Sequence, residues 1–472
     1  MKDIKKQCII VVLICFSLSI HAQIQIGSDI DGLLAGDRFG NRTSLSSDGN
    51  IVALLGNGPA GGGGNIRVFK NIAGFWTLYG IDINGENFGG IGGSSISISA
   101  DGNTLAIGGW SNVVKVFNYD FGTGLWTQKG TDITNTTGVP SFGNSINLSS
   151  DGNTIVIGAP GFGIPPPPEV GETQIFKYDT GTWSQIGNNI IGLVVAEHSG
   201  LSVKMSLDGN IVAIGNTNSV RIYENISETW TQIGSEITGF DIHEVSLSFN
   251  GEILAIGEPE FTDSFIQRGR VRVFSYISGS WDQIGSDIIG EVAYYRTGWS
   301  VSISSDGQVL AIGEIGSTSG STDTGRARIF ENQGGSWFQI GNEIFGEASE
   351  DHSGWSVSLS SDASTLAIGA SLNDGNGVDS GHARIYDLSD LLSINDFVQP
   401  KISLFPNPAR EQFTINLHEG TELEYVNIYS SLGELINSIN TSIINTSKLS
   451  TGIYYVEINT NKGRVTKKIV IL

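Results

Sequence analysis

The side chains best equipped for chemistry fall in four short stretches: Glu197 to Gly200, Asp241 to Glu244, Glu291 to Trp299, and Glu347 to Trp355. In Glu291-Val292-Ala293-Tyr294-Tyr295-Arg296-Thr297-Gly298-Trp299, two tyrosines and an arginine can stack on a sugar ring or a planar side chain while donating hydrogen bonds. The competing reading is packing, with Trp299 and one Tyr wedged between neighbouring structural units. In Asp351-His352-Ser353-Gly354-Trp355 an acid, an imidazole and a hydroxyl stand together. A hydrolytic triad is assembled by the fold, not by sequence adjacency. His198-Ser199-Gly200 repeats the pattern, so a structural role is expected for it. His198, His243, His352 and His382 could bind a metal if they converged on one axis. No His-x-His or His-x3-His spacing supports that, and neutral, exposed imidazoles are expected. Glu258, Glu260, Asp263, Glu314, Asp323, Asp374 and Asp379 offer carboxylates that could pair for glycoside cleavage. Nothing in the sequence separates a general acid among them from a solvated carboxylate. The glycines from Gly61 to Gly64 precede no helix, so no phosphate cradle is expected. The candidate binding residues are therefore Glu291, Tyr294, Tyr295, Arg296, His243, Glu244, Asp351 and His352. No catalytic residue, metal ligand or cofactor is assigned.

What must position these residues is a stretch that recurs seven times. Its clearest copy, Trp299 to Gly313, reads Trp-Ser-Val-Ser-Ile-Ser-Ser-Asp-Gly-Gln-Val-Leu-Ala-Ile-Gly. The other six centre on Asp48-Gly49, Asp101-Gly102, Asp151-Gly152, Asp208-Gly209, Asn250-Gly251 and Asp362-Ala363. The steps between successive centres are 53, 50, 57, 42, 56 and 56 residues. A period of this size marks a propeller or a solenoid. Each copy predicts two strands joined by an Asp-Gly turn. In the first strand Ile96 and Ile98 point one way and the serines the other. The second, as in Leu105-Ala106-Ile107-Gly108, is apolar throughout, as a strand covered on both faces must be. A third strand follows, as in Arg270 to Phe274 or Ala327 to Phe330. A fourth opens at Trp183, Trp230, Trp281 or Trp337, with looser copies at Trp76 and Trp126. Four antiparallel strands per repeat make one propeller blade.

Six repeats carry the Trp-led strand, and the seventh ends at Ala383-Arg384-Ile385-Tyr386 without one. The missing copy is Ile24-Gln25-Ile26-Gly27-Ser28-Asp29-Ile30, which matches Gln283 to Ile288. The start of the mature chain is thus expected to become the outer strand of the last blade, removing an unpaired edge. The expected class is all-β: a seven-bladed β-propeller over residues 23–387, a linker at 388–400, and a small β-sandwich at 401–472.

Residues 1–22 read as a secretory signal: Lys2, Lys5 and Lys6, then an apolar run from Ile9 to Ile20, then Ala22 before the cut. Cys8 and Cys15 both lie inside it, so the mature chain has no thiol, disulfide or cysteine metal site. No transmembrane segment is expected in the mature chain. The net charge of −22 becomes −24 once three Lys and one Asp of the signal are removed. Residues 400–472 hold seven basic and six acidic residues, which leaves −25 on residues 23–399. That balance speaks against nucleic acid and anionic membranes as partners.

Phe405-Pro406-Asn407-Pro408-Ala409, Leu432-Gly433, Leu449 to Tyr455 and Lys467-Lys468-Ile469 ahead of the terminal Leu472 resemble the type A sorting domain of the type IX secretion system of Bacteroidota. The resemblance implies passage through the periplasm, handling by the type IX machinery, and a secreted or cell-surface destination. Phe142-Gly143 leading to Gly158-Ala159-Pro160, with Phe39-Gly40, Gly257-Glu258-Pro259 and Gly369-Ala370-Ser371, resembles FG-GAP repeats of the integrin α-chain type. Calcium-binding members of that family carry several carboxylates in the first hairpin. Here there is one, so no calcium ligand is carried over. The expected function is a non-catalytic binding or adhesion module for a glycan or protein. The alternatives are a secreted polysaccharide- or peptide-degrading enzyme using face carboxylates, and a structural spacer.

Overall fold

The computed structural model describes residues 23–58, 64–84, 93–109, 112–162, 170–316, 323–392, 403–417, 422–430, 435–447, 449–460 and 463–472. Residues 1–22, read above as a secretory signal and holding both cysteines, most of the Gly61 to Gly64 run, the proline run 165–168 and Leu432-Gly433 lie outside the described residues. The chain divides into two compact units between Leu392 and Ser393.

The first unit contains, among the described residues, seven antiparallel sheets that follow the seven repeats. The first holds Arg42–Leu45, Ile51–Gly56, Asn65–Ile72 and Phe75–Leu78. The hairpin chemistry behind each sheet is uniform. Asp48 Oδ1 accepts from Ser46 Oγ at 2.7 Å and from Asn50 N at 3.0 Å, while Ile51 N donates to Ser46 Oγ at 2.9 Å. Gly49 takes the positive φ of 68° that the turn requires. Asp101, Asp151, Asp208, Asp306 and Asp362 repeat the arrangement, and Asn250 substitutes for the acid in the fifth sheet. Second strands such as Thr104–Gly109, Val309–Glu314 and Thr365–Ala370 are buried along their full length.

The outer strand departs from expectation in being broken. It pairs with the third strand, leaves it at a glycine, and returns as a two-residue strand, as Phe75–Leu78 and Ile83–Asn84 do. Only in the sixth sheet does it run on, as Trp337–Phe345. In the second to fifth sheets its tryptophan ties the sheet to the one before. Trp126 Nε1 donates to Tyr79 O at 2.8 Å, Trp183 to Lys129 O at 2.8 Å, Trp230 to Ile186 O at 3.0 Å and Trp281 to Ile233 O at 3.1 Å.

The seventh sheet takes its outer strand from the other end of the chain. Ile24 and Gln25 pair with Asp387 and Tyr386, and Ile30 and Asp31 pair with Ala383 and His382. Trp76 of the first sheet donates to Ile26 O at 2.9 Å, so the tryptophan tie reaches this segment too.

Contacts between sheets form series that return to their start. Backbone N–H groups at the hairpins donate from Ser47 to Ala100, Ala100 to Ser150, Ser150 to Leu207, Leu207 to Phe249, Phe249 to Ser305, Ser305 to Ser361, and Ser361 back to Ser47. The first-strand serines bridge neighbouring sheets: Ile98 N donates to Ser44 Oγ, Leu148 N to Ser97 Oγ, Ile303 N to Ser246 Oγ, Leu359 N to Ser302 Oγ and Leu45 N to Ser358 Oγ. The serines therefore face an axial space, not bulk water. Buried apolar clusters lie between successive sheets, and Ile30, Phe39, Val52, Leu54, Ala383 and Ile385 fill the one between the seventh and the first. Because apolar burial dominates folding energetics, these clusters carry most of the stability.

Residues 388–392, expected in the linker, belong to the first unit. Leu388 is fully buried, and Leu391 and Leu392 of a short helix, Ser389–Leu392, pack on the same cluster. The second unit is a sandwich of two sheets. One holds Ser403–Phe405, Gln412–Asn416 and Ile443–Asn445. The other holds Leu435–Ile439, Leu423–Ser430, Gly452–Thr460 and Gly463–Ile471. Phe413, Val426, Val456 and Ile469 are among its buried residues. Among the described residues no helix is long and apolar enough to cross a membrane.

Candidate functional site

The entry to each first strand fixes where the candidate residues can go. Arg38, Ser141, His198, Arg296 and His352 all have φ between 50° and 63°. Each is followed by a buried residue (Phe39, Phe142, Ser199, Thr297 or Ser353) and then by a glycine. At Gly40, with φ 83°, a Cβ would sit 2.2 Å from His382 O, so no other residue fits. The Phe-Gly and His-Ser-Gly patterns are thus one packing device. Ser353 is fully buried beside Gly325, and Asp351 Oδ2 accepts from Glu347 N at 3.1 Å, Ala348 N at 2.8 Å and Asn373 Nδ2 at 3.2 Å. Asp351 braces its own loop instead of facing a ligand.

The first strands line an axial passage. One cavity of about 130 Å³ and another of about 150 Å³ share Ser44, Ser97, Asn147, Lys204 and Ser358. Two residues per first strand face it. One position is Arg42, Ser95, Ser145, Ser202, Glu244, Ser300 and Ser356; the other is Ser44, Ser97, Asn147, Lys204, Ser246, Ser302 and Ser358. Against this background of serine, Arg42, Lys204 and Glu244 are the ionisable departures, and all three line the 130 Å³ cavity at one mouth with His243, Trp299 and Trp355.

Aromatic rings connect there in sequence. His243 stacks on Trp299 at 4.1 Å, Trp299 meets Trp355 at 5.0 Å, and Trp355 lies parallel to His352 at 5.8 Å. The Arg296 guanidinium stands 5.7 Å from the Trp299 ring and pairs with Glu260 at 3.2 Å. The indole N–H groups of Trp299 and Trp355 are buried without a protein acceptor. His243 Nδ1 lies 2.6 Å from Trp299 O, which requires the proton on Nδ1 and leaves Nε2 as an acceptor. Burial, helped by the Arg42 charge, lowers the His243 pKa to about 4. Burial pushes the Glu244 carboxyl up, opposed by Lys204 and Arg42. Burial likewise pushes the Arg42 guanidinium down, opposed by Glu244.

The sequence candidates thus separate. His243 and Glu244 line the mouth, and Arg296 and His352 reach it only through the tryptophans. Tyr295 Oη donates to Asp323 Oδ1 at 3.2 Å beneath the Arg326 guanidinium, and Glu291 reaches Arg328 at 3.6 Å, both at the edge of the sixth sheet. Tyr294 projects outward, 55 % exposed. The histidines are not exposed as expected: His382 and His352 are buried, and of the four only His243 lines the axial cavity. Arg42 and Lys204 were missed because they sit inside strands. Their signal was a cation where the other repeats place Ser, Asn or, once, Glu244.

Residues 403–472 match the secretion system C-terminal sorting domain. Residues 346–386, which span most of the seventh sheet's repeat, match the FG-GAP repeat. No curated protein matches the chain. The sorting domain marks the chain for export by the type IX secretion system, to the cell surface or the medium, and implies contact with that machinery.

Proposed function

We propose that the chain is an exported, non-catalytic binding module of a Bacteroidota cell, reaching its destination through the periplasm. Its scaffold is a seven-bladed β-propeller over residues 23–392, closed by the N-terminal strand, and its ligand docks at the axial mouth. The propeller reading is supported by the return of the hairpin bonds, the serine bridges and the interlocking cores to their start. The binding reading rests on one observation: a run of contacting rings, His243 stacked on Trp299 and Trp299 tilted against Trp355, with unpaired indole N–H groups and two flanking cations, Arg42 and Lys204. Flat aromatic faces beside fixed donors suit a sugar ring carrying an acidic group.

A glycan and protein array probed with residues 23–392, followed by titration, tests this. Trp299→Ala should abolish capture and Lys204→Ala should weaken it, while Tyr294→Ala leaves it unchanged. Capture insensitive to both axial substitutions overturns the assignment. The second reading is a hydrolase, and it draws on Glu244, whose raised pKa suits a general acid. Glu244 is the one carboxylate among the residues lining that cavity, so the second carboxylate of a glycosidase pair has no partner position there. Turnover of a captured glycan that disappears in Glu244→Gln would reverse the order.

A further inference from the structure

The inner corner of the seventh sheet differs from its two predecessors in a way that creates a charge imbalance. In the fifth sheet Arg270 lies across from Glu258, donating to it at 2.7 Å and to Asp287 at 2.8 Å. In the sixth, Arg326 lies across from Glu314, with 2.7 Å to it and 2.7 Å to Glu343. Both inner acids are fully buried. In the seventh sheet the register places Ala370 across from His382, so the inner acid is gone and an imidazole replaces the guanidinium. The outer acid remains as Asp29. A further acid, Asp31, pairs directly across from His382, where the earlier sheets have Ile289 and Phe345. Glu347, from the connection between the sixth and seventh sheets, completes the group.

His382 Nδ1 lies 3.7 Å from Asp29 Oδ2, 3.9 Å from Asp31 Oδ1 and 3.9 Å from Glu347 Oε2. The His382 side chain is only 1 % exposed, and its Nε2 has no partner. Asp29 spends its other oxygen on Gln25 Nε2, and Glu347 spends its other oxygen on Arg384 at 3.9 Å. Three carboxylates against one guanidinium, with the imidazole neutral, leave −3 + 1 = −2 at this corner.

The geometry points to a binding site for one divalent transition-metal ion of the zinc type, held by His382 Nδ1, Asp29, Glu347 and Asp31. An imidazole with carboxylates is a zinc-type donor set, whereas calcium selects oxygen alone. Neighbouring ligand atoms on a tetrahedral zinc ion stand about 3.3 Å apart, from bond lengths near 2.0–2.1 Å. The ligand atoms of Asp29, Glu347 and His382 lie within 4.8 Å of one another, with Asp31 3.9 Å from the imidazole, so the group must contract by up to about 1.5 Å, which the part-exposed carboxylates can supply. Charge supports the assignment. Three carboxylates converge on this corner against one guanidinium, a crowding of negative charge that a dication relieves. The ligands come from the N-terminal segment, the last repeat and the connection before it, so the ion would clasp the first and last parts of the first unit together. Spacing could not reveal the site, because its members stand at positions 29, 31, 347 and 382.

The test is calorimetric titration of zinc chloride into the tag-free, chelator-stripped chain, with melting temperature as a second readout. One saturable site is expected, with a melting temperature that rises with zinc concentration as linkage requires. His382→Gln should abolish both. Asp31→Asn and Glu347→Gln, which alter part-exposed carboxylates and spare the core, should each weaken binding at least about tenfold. No saturable binding to the wild type, or binding undiminished in Asp31→Asn and Glu347→Gln, overturns the site. Saturable calcium binding at the same residues in place of zinc overturns the assigned class of ion.

Discussion

Ile24 and Ile30 offer a matched test of how the N-terminal segment contributes to stability. Both are isoleucines in the same short stretch, and both pair with the last strand of the first unit. Ile24 is 57 % exposed, whereas Ile30 is 5 % exposed and sits in the cluster between the seventh and first sheets. Truncating a buried isoleucine to alanine removes three carbon atoms from a packed site and leaves a cavity, at a cost of about 2–5 kcal/mol. Here the lower half of that range is expected. Phe39 and Ile385 are held by the sheets on either side and cannot fully collapse, but Ile30 lies near the end of its strand. Ile24→Ala should cost less than about 0.5 kcal/mol, in keeping with surface substitutions elsewhere. The assay is equilibrium denaturation by urea of both variants and the wild type, with light scattering to register association through an opened edge. Deleting residues 23–31 should cost more than Ile30→Ala, because it also removes the ladder to residues 382–387 and the acceptor of the Trp76 indole. If Ile30→Ala proves as harmless as Ile24→Ala, or the deletion is silent, the segment does not close the first unit.

Glu314→Gln should destabilise by about 3–5 kcal/mol, since the fully buried Glu314 faces both Arg326 and Arg328 and its loss strands their charges; differential scanning calorimetry reads it. His243, neutral in the fold because burial and Arg42 lower its pKa to about 4, titrates near 6.5 when unfolded. The unfolded state then binds the extra proton, so the wild type should lose on the order of 1–3 kcal/mol relative to His243→Asn as pH falls from about 6.5 to 4, and nothing further below. Urea midpoints at half-unit pH steps check the sign. Deleting residues 403–472 should trap the chain inside the cell envelope, read by fractionation and immunoblot; normal export would refute the sorting role. Calcium should leave the melting temperature of the chelator-stripped protein unchanged, because Ser and Asn donors already occupy the hairpin carboxylates, as at Asp48. A shift that grows with calcium concentration would show otherwise.

Much of this protein was legible because its information is local and repeated. An Asp-Gly pair selects its turn through Ser46, Asp48 and Asn50, which are sequence neighbours, so the hairpin could be read from one copy and checked against six others. The match of Ile24 to Ile30 with the Trp-led strands pointed to the pairing seen with Ala383 and Tyr386, because a strand's edge needs are set by its own pattern. The second unit's strands and sorting motif were likewise contiguous. The site was not local. Which first-strand side chain faces the axis depends on register across seven sheets, so Arg42 and Lys204 are absent from the sequence candidates and stand out only once the serine positions beside them are aligned in space. Asp351 looked like a candidate ligand until its loop closed around it. His382 looked like an exposed imidazole, because only the return of the chain's first strand buries it and sets Asp29 and Asp31 against it. Strand, turn and repeat follow from interactions within a few residues, whereas burial and charge at a site are set by segments far apart in the chain, and those only the tertiary structure brings together.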